Sequence, residues 1–337
     1  MSSLTGTTAI AVRTEQQEAR FRCVACRREH DRPPPEIRAD SEQRPFDLVR
    51  CPDCGLVQQS PRYTPRELDA LYRADYYVFA EEDPQRWARA VQQYAAHLLR
   101  LEGERGRRLL DVGCALGHLA ALAGRRGWRV TGVDVSAEAI SQAACRFGLD
   151  FRAGDLSQFG DTLPPFDVVL LGDVIEHVLD PCRFLQAVRR LLAPDGVVCV
   201  DTPNYGGRWR RFGGARWLGL NRYHINLFSA QSLEALLAAC GFSEIRIGSC
   251  THYRYESWTD RPEVQAIVRR LPRFLGWRLN RFFSRRARRK PWAMLREQPP
   301  GSLEEAGRRL PEFSDFANIV TATSHTADNL IAVARRG

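Results

Sequence analysis

The chain has 337 residues, 44% of them hydrophobic, and a mean hydropathy of −0.36. That is enough apolar material for one large core with a satellite module, and too much for a disordered polymer. The formal charge of +9 is local: residues 269–290 hold ten Lys or Arg and no acid, leaving about −1 (9 − 10) elsewhere and excluding a chain that is basic throughout.

Residues 1–20 are small and polar, lack the apolar stretch of a secretory leader, and read as a disordered tail. No apolar run approaches membrane-spanning length. Ten cysteines in a chain of this size do not make a disulfide scaffold, which suits a reducing cytoplasm. Within 21–60, Cys23-Val-Ala-Cys26 and Cys51-Pro-Asp-Cys54 stand 24 residues apart. Two Cys-x-x-Cys knuckles converge on one tetrahedral ion, so Cys23, Cys26, Cys51 and Cys54 predict a structural Zn2+ site, with Gly55 supplying the open turn. A redox pair is the alternative.

Residues 61–105 read as a helical linker or lid. Trp87, Val91, Tyr94, Leu98 and Leu101 recur at helical spacing and predict one amphipathic helix. Tyr76, just before it, could close over a ligand or pack into the core.

Residues 106–250 and 326–337 form the predicted core. Strand patterns at 108–112, 128–134, 150–153, 166–171 and 196–202 alternate with helical ones, which calls for an α/β fold with a parallel sheet covered on both faces. Ser229 caps a helix that ends before Gly241, and 242–248 and 329–334 are further strands. Between them, 251–325 reads as a basic helical insertion. In its 272–290 stretch Leu275, Leu279, Phe282 and Phe283 share one helix side, while Arg273, Arg278, Arg281, Arg285 and Arg288 fall on another. Three readings stay open: peripheral contact with the inner face of a membrane, a nucleic-acid patch, and a packed helix with a solvated basic face.

The strand at 108–112 leads into Asp111-Val-Gly-Cys-Ala-Leu-Gly117. A dinucleotide loop seats a pyrophosphate on the helix N-terminus. Here Asp111 precedes Gly113 and Ala115 holds the middle position, so phosphate is repelled and an ammonium or sulfonium is favoured. Asp134, ending the next strand, is placed for ribose hydroxyls, and Asp155 for an adenine amine.

These residues, with Gly154-Asp155, Phe166-Asp-Val-Val and Leu192-Ala-Pro-Asp-Gly196, resemble the class I S-adenosylmethionine-dependent methyltransferases. The resemblance implies a Rossmann-like, seven-stranded core preceded by a small zinc-ribbon-like module. It also implies S-adenosylmethionine contacts at Asp111, Gly113, Cys114, Gly117, Asp134, Val135, Asp155, Leu156 and Gly172. Ala115 departs from the family, where glycine is common.

After the fourth strand, Gly172-Asp-Val-Ile-Glu-His-Val-Leu-Asp-Pro181 lacks the Asn/Asp-Pro-Pro-aromatic clamp of enzymes that methylate base amines. Its acid-x-x-acid-His pattern resembles quinone-pathway O-methyltransferases, which implies a divalent ion at Asp173, Glu176 and His177. The alternative is that Glu176 and His177 cap a helix and line the pocket. Residues 202–228, rich in Gly, Arg and Trp, face the acceptor side and suit a polyhydroxylated or anionic substrate. Tyr223-His224-Ile-Asn-Leu-Phe-Ser229 resembles the His-x-x-x-Phe-Ser segment of bacterial methyltransferases from glycan and natural-product pathways. His224 is therefore a candidate general base, or a residue that fixes the loop. The zinc module ahead of this core also resembles sugar C-methyltransferases, with Tyr76 and His224 at matching places. The expected function is O-methylation of a sugar, glycan precursor or other small molecule in the cytoplasm. C-methylation of a nucleotide-linked deoxysugar, RNA methylation and a non-catalytic cofactor-binding role are the rivals.

Overall fold

A computed structural model of the chain describes residues 20–39, 46–75, 85–102, 107–160, 162–214, 217, 219–250, 295, 298–313 and 327–337. Tyr76 and the basic stretch 272–290 lie outside the described residues.

At the N-terminus β1 (Arg20–Arg22) pairs antiparallel with β2 (Glu29–Asp31), and the loop between them carries the first cysteine pair. Strands β3 (Ile37–Ala39), β4 (Phe46–Arg50) and β5 (Val57–Ser60) follow as an antiparallel meander, with the second pair in the β4–β5 turn. Helix α1 (Pro65–Asp75) starts in a capping box: Thr64 Oγ1 accepts the Glu67 N–H at 3.2 Å, and Glu67 Oε2 accepts the Thr64 N–H at 2.6 Å.

The single helix expected from Trp87 to Leu101 is broken. Helix α2 (Gln85–Gln93) passes into a π turn at Tyr94–Leu98 and a tight turn at Leu99–Leu101. The π turn lets Tyr94, His97 and Leu98 all point inward. Tyr94 donates its hydroxyl to Glu102 at 2.7 Å and accepts the Trp128 indole N–H at 3.0 Å, so tertiary partners override the helical period.

The core alternates β6 (Arg108–Val112), α3 (His118–Arg125), β7 (Arg129–Asp134), α4 (Ala137–Phe147), β8 (Asp150–Ala153), β9 (Phe166–Gly172), α5 (Pro181–Leu191) and β10 (Leu192–Pro203). Helix α6 (Arg208–Gly213), the short β11 (Asn226–Leu227), α7 (Ala230–Ala239), β12 (Phe242–Cys250), α8 (Leu303–Arg309) and β13 (Asn329–Arg336) complete it. The main sheet has seven strands in the order β12-β13-β10-β9-β6-β7-β8, and β13 runs antiparallel to both of its neighbours. The expected Rossmann-like sheet is thus present.

Its central strands carry apolar residues on both faces, because both faces are covered. Leu110, Val112, Val169, Leu171, Val198 and Val200 point toward α5 and α7. Their neighbours Leu109, Val130, Val168, Leu170 and Cys199 point toward α2, α3 and α8, the last adding Ala306 and, just beyond it, Leu310 and Phe313. Strand order reverses beside β6, with β7 on one side and β9 on the other, which opens a crevice at their carboxyl ends. Among the described residues, no helix is long and apolar enough to cross a membrane.

One connection was not legible in the sequence. β11 pairs with β5, placing Asn226 opposite Gln58 and Leu227 opposite Val57. The small N-terminal sheet therefore ends on the loop that carries His224.

Candidate active site

A cleft lies over the crevice, lined by the β6–α3 loop, the β7 end, the β9–α5 loop and the segment around His224. The β6–α3 loop is left-handed at three positions: Gly113 (φ 71°), Ala115 (φ 45°) and Gly117 (φ 73°). A Cβ on Gly113 would come within 2.6 Å of the Val174 side chain, and one on Gly117 within 2.5 Å of the Phe151 ring. Only glycine allows both the conformation and the approach. Ala115 holds the same region without that freedom, at a cost of about 1 kcal/mol.

Asp134 explains why Ala115 is tolerated there. Its Oδ2 accepts the Ala115 N–H and its Oδ1 the Ser136 N–H, both at 2.9 Å. The carboxylate thus locks the loop to the following turn and still lines the cleft. Asp155 stands exposed beyond β8, where its Oδ1 takes the N–H and hydroxyl of Ser157 at 2.8 and 2.5 Å. Leu156 and Cys114 are buried beneath the cleft, whereas Val135 is 60% exposed at its rim. Gly172 ends β9 against the Gln93 side chain.

Asp111 stands out among the groups that line the cleft. It is buried, and its Oδ2 has no hydrogen-bond partner among the described residues. Burial, with the Asp134 charge added, pushes its carboxyl up to about 7. A carboxyl in that position is satisfied by a cationic, hydrogen-bond-donating ligand, which is what the amino-acid end of S-adenosylmethionine presents.

Further along the cleft the structure rearranges the expected acidic triad. Asp173, at φ 53°, forms an ion pair with Arg89 of α2. Glu176, His177 and His224 come together instead, each offering a ligating atom within 4.8 Å of the others. The divalent set expected at Asp173, Glu176 and His177 is therefore not assembled, because Arg89 claims the first acid. Arg89 carried no sequence signal: its partner lies 84 positions away on another element.

The two imidazoles stack edge to face with centroids 4.8 Å apart. His177 donates Nδ1–H to the Tyr223 carbonyl at 3.0 Å, and His224 donates Nδ1–H to the Gly219 carbonyl at 3.0 Å. Carbonyls only accept, so both rings keep their lone pair on Nε2. Burial holds both neutral: His177 is pushed down to about 3, with His224 adding to the effect, and His224 to about 4. Glu176 lies behind them. Its Oε2 accepts the Thr202 hydroxyl at 2.9 Å, and its Oε1, 3.8 Å from His177 Nε2, has no hydrogen bond among the described residues. Burial pushes this carboxyl up to about 8.

The four predicted cysteines meet at the N-terminus. Cys23 and Cys54 sulfurs are 3.5 Å apart, and those of Cys26 and Cys51 are 3.6 Å apart. Their mutual contact lowers the Cys54 thiol to about 5 while raising that of Cys23 strongly. A divalent cation relieves this crowding by taking all four as thiolates, and the set fits tetrahedral zinc. Purified protein is expected to carry about one zinc per chain by elemental analysis. Cys51→Ser should lose the metal or aggregate; a soluble, zinc-free and folded wild type would overturn this.

A methyltransferase domain family matches residues 79–246. A Mycolicibacterium smegmatis protein named as a probable S-adenosylmethionine-dependent methyltransferase is 30% identical over 192 residues, covering 57% of this chain and 68% of its own. A ubiquinone biosynthesis O-methyltransferase of a Caulobacter species is 43% identical over 105 residues, covering 29% of this chain and 42% of its own. Among solved structures, 1,6-didemethyltoxoflavin-N1-methyltransferase of Burkholderia thailandensis aligns over 88% of this chain and 96% of its own, at 18% identity and a TM-score of 0.46. The glycine loop, the buried Asp111 and these sequence relatives agree: the chain belongs to the class I S-adenosylmethionine-dependent methyltransferases.

Proposed function

We propose that the chain methylates a hydroxyl group of a small-molecule acceptor, with His224 accepting the hydroxyl proton, His177 packed against it and Glu176 supporting the charge that results. S-adenosylmethionine, when bound, supplies an electrophilic methyl group that needs no covalent help from the protein. The chain's own residues must then bind the donor, align the acceptor and remove one proton.

The observation that carries this reading is the pair of neutral imidazoles lining the cleft, each pinned through Nδ1 and basic at Nε2. An amine acceptor attacks through its own lone pair and has little need of such a pair, whereas a hydroxyl does. The name of the quinone-pathway relatives, O-methyltransferase, supports the same choice. Trp217, buried at the cleft wall, gives a flat surface for a sugar ring or phenol. Asp111, Gly113, Gly117, Asp134 and Asp155 are proposed to hold the donor, and a sugar or glycan precursor is the favoured acceptor.

The test is transfer of label from methyl-labelled S-adenosylmethionine to a panel of phenols, sugars, nucleotide sugars and RNA. Label is expected in a hydroxyl compound as an ether. Label in RNA, or a carbon-bound methyl in a nucleotide sugar, would overturn the proposal in favour of its rivals.

A further inference from the structure

The N-terminal module grips the two loops that carry the histidines. Arg27, in the first cysteine knuckle, donates through one Nη2 to both carboxylate oxygens of Asp180, at 2.6 and 2.8 Å. Asp180 in turn caps α5, accepting the Arg183 N–H at 2.9 Å, just past the Glu176–His177 loop. Gln58 of β5 is tied to the knuckle: its Oε1 accepts the Val24 N–H at 3.0 Å, and its Nε2 donates to the Arg22 carbonyl at 3.1 Å.

Arg62, two residues beyond β5, spans the joint itself. Its Nη2 donates to the Leu179 carbonyl at 2.8 Å, on the loop of Glu176 and His177. Its Nη1 donates to Asn226 Oδ1 at 3.0 Å and to the Ile225 carbonyl at 3.3 Å, directly after His224. The two loops also bond each other there. The Ile225 and Asn226 N–H groups donate to the Glu176 carbonyl at 2.9 and 3.0 Å, and Asn226 Nδ2 donates to the Val178 carbonyl at 2.7 Å.

We infer that Arg62 is a positioning residue for the His177–His224 pair, and that the cysteine module serves the reaction by holding Arg62 and β5 in place. The physical ground is directional. Each ring is pinned by a backbone carbonyl of the 219–223 segment, so any displacement of that segment carries both Nε2 atoms with it. A guanidinium offers five donors in a rigid planar fork and can serve acceptors on two loops at once. A lysine ammonium is a point charge on a flexible stem and cannot hold both. The inference rests on His224 acting as the base beside His177, as proposed above, but its test needs no acceptor.

Histidine-ring 1H–15N spectra of the zinc-loaded protein at about pH 7 report tautomers directly. The wild type is expected to show both rings as single Nδ1–H tautomers. Arg62→Gln should keep its zinc and bind S-adenosylhomocysteine within about twofold of wild type, since the groups that Arg62 bonds, Leu179, Ile225 and Asn226, are not among the residues proposed to hold the donor. Its two ring signals should shift and mix tautomers, with Arg62→Lys restoring the wild-type pattern only in part. If Arg62→Gln does not fold, Arg62→Lys carries the test alone. Unchanged ring spectra in either folded variant would overturn the inference, as would loss of zinc or cofactor binding in parallel with the shifts. Failure of the base assignment reads differently: the rings would move as expected while His224→Ala left turnover untouched.

Discussion

Asp111→Asn is expected to make the cofactor-free protein more stable at pH 8 while weakening S-adenosylmethionine binding by at least about tenfold. Asp111 is buried, one carboxylate oxygen has no hydrogen bond among the described residues, and burial raises its pKa to about 7. The folded state therefore holds a proton that the unfolded chain releases near its ordinary value. Stability from this group is fully present below that ordinary value, is lost as pH rises to about 7, and is absent above it. At pH 8 the wild type carries a buried charge that asparagine does not. A rise of about 2–6 °C in melting temperature is expected there, shrinking toward pH 5. The same charge is what a cationic ligand needs, so calorimetry should show the opposite sign for binding. A variant less stable at pH 8, or one that binds the donor as well as wild type, would remove Asp111 from the cofactor site.

His224→Ala should lower turnover by roughly a hundredfold or more, with donor affinity unchanged, because proton removal is lost and the donor site is not touched. The pH profile gives a second handle. Glu176 can offset a forming imidazolium only as an anion, and its pKa lies at about 8. The rate should therefore climb with pH below about 8 and level above it, and Glu176→Gln should be slow with that limb flattened. Wild-type turnover in His224→Ala would exclude His224 as the base. A rising limb kept in Glu176→Gln would assign the titration to another group.

Much of the proposed donor half of the site could be read from residues close together in sequence. The glycine loop needs left-handed backbone at 113 and 117, and only a few residue types allow it, so its signal is local. The acids at the ends of β6 and β7 follow strands whose apolar runs set their length. The acceptor half did not yield so fully. The pattern at 173–177 predicted three ligands in a row, yet the left-handed turn at Asp173 sends it to Arg89 and leaves its place to His224. The helix over 87–101 has a regular apolar period but gives way to a π turn, where buried Tyr94 finds Glu102 and Trp128.

The sequence by itself determined the parallel sheet, the cysteine knuckles and the loop around Asp111, because strand alternation, Cys-x-x-Cys spacing and glycine conformation are fixed by neighbours a few residues apart. Only the tertiary structure decided which groups share the proposed acceptor side. His177 and His224 are 47 positions apart, and Arg62 lies 117 from Leu179 and 163 from Ile225. What brings them together is strand order and the pairing of β5 with β11, and no local pattern encodes a partner that the fold supplies from so far along the chain.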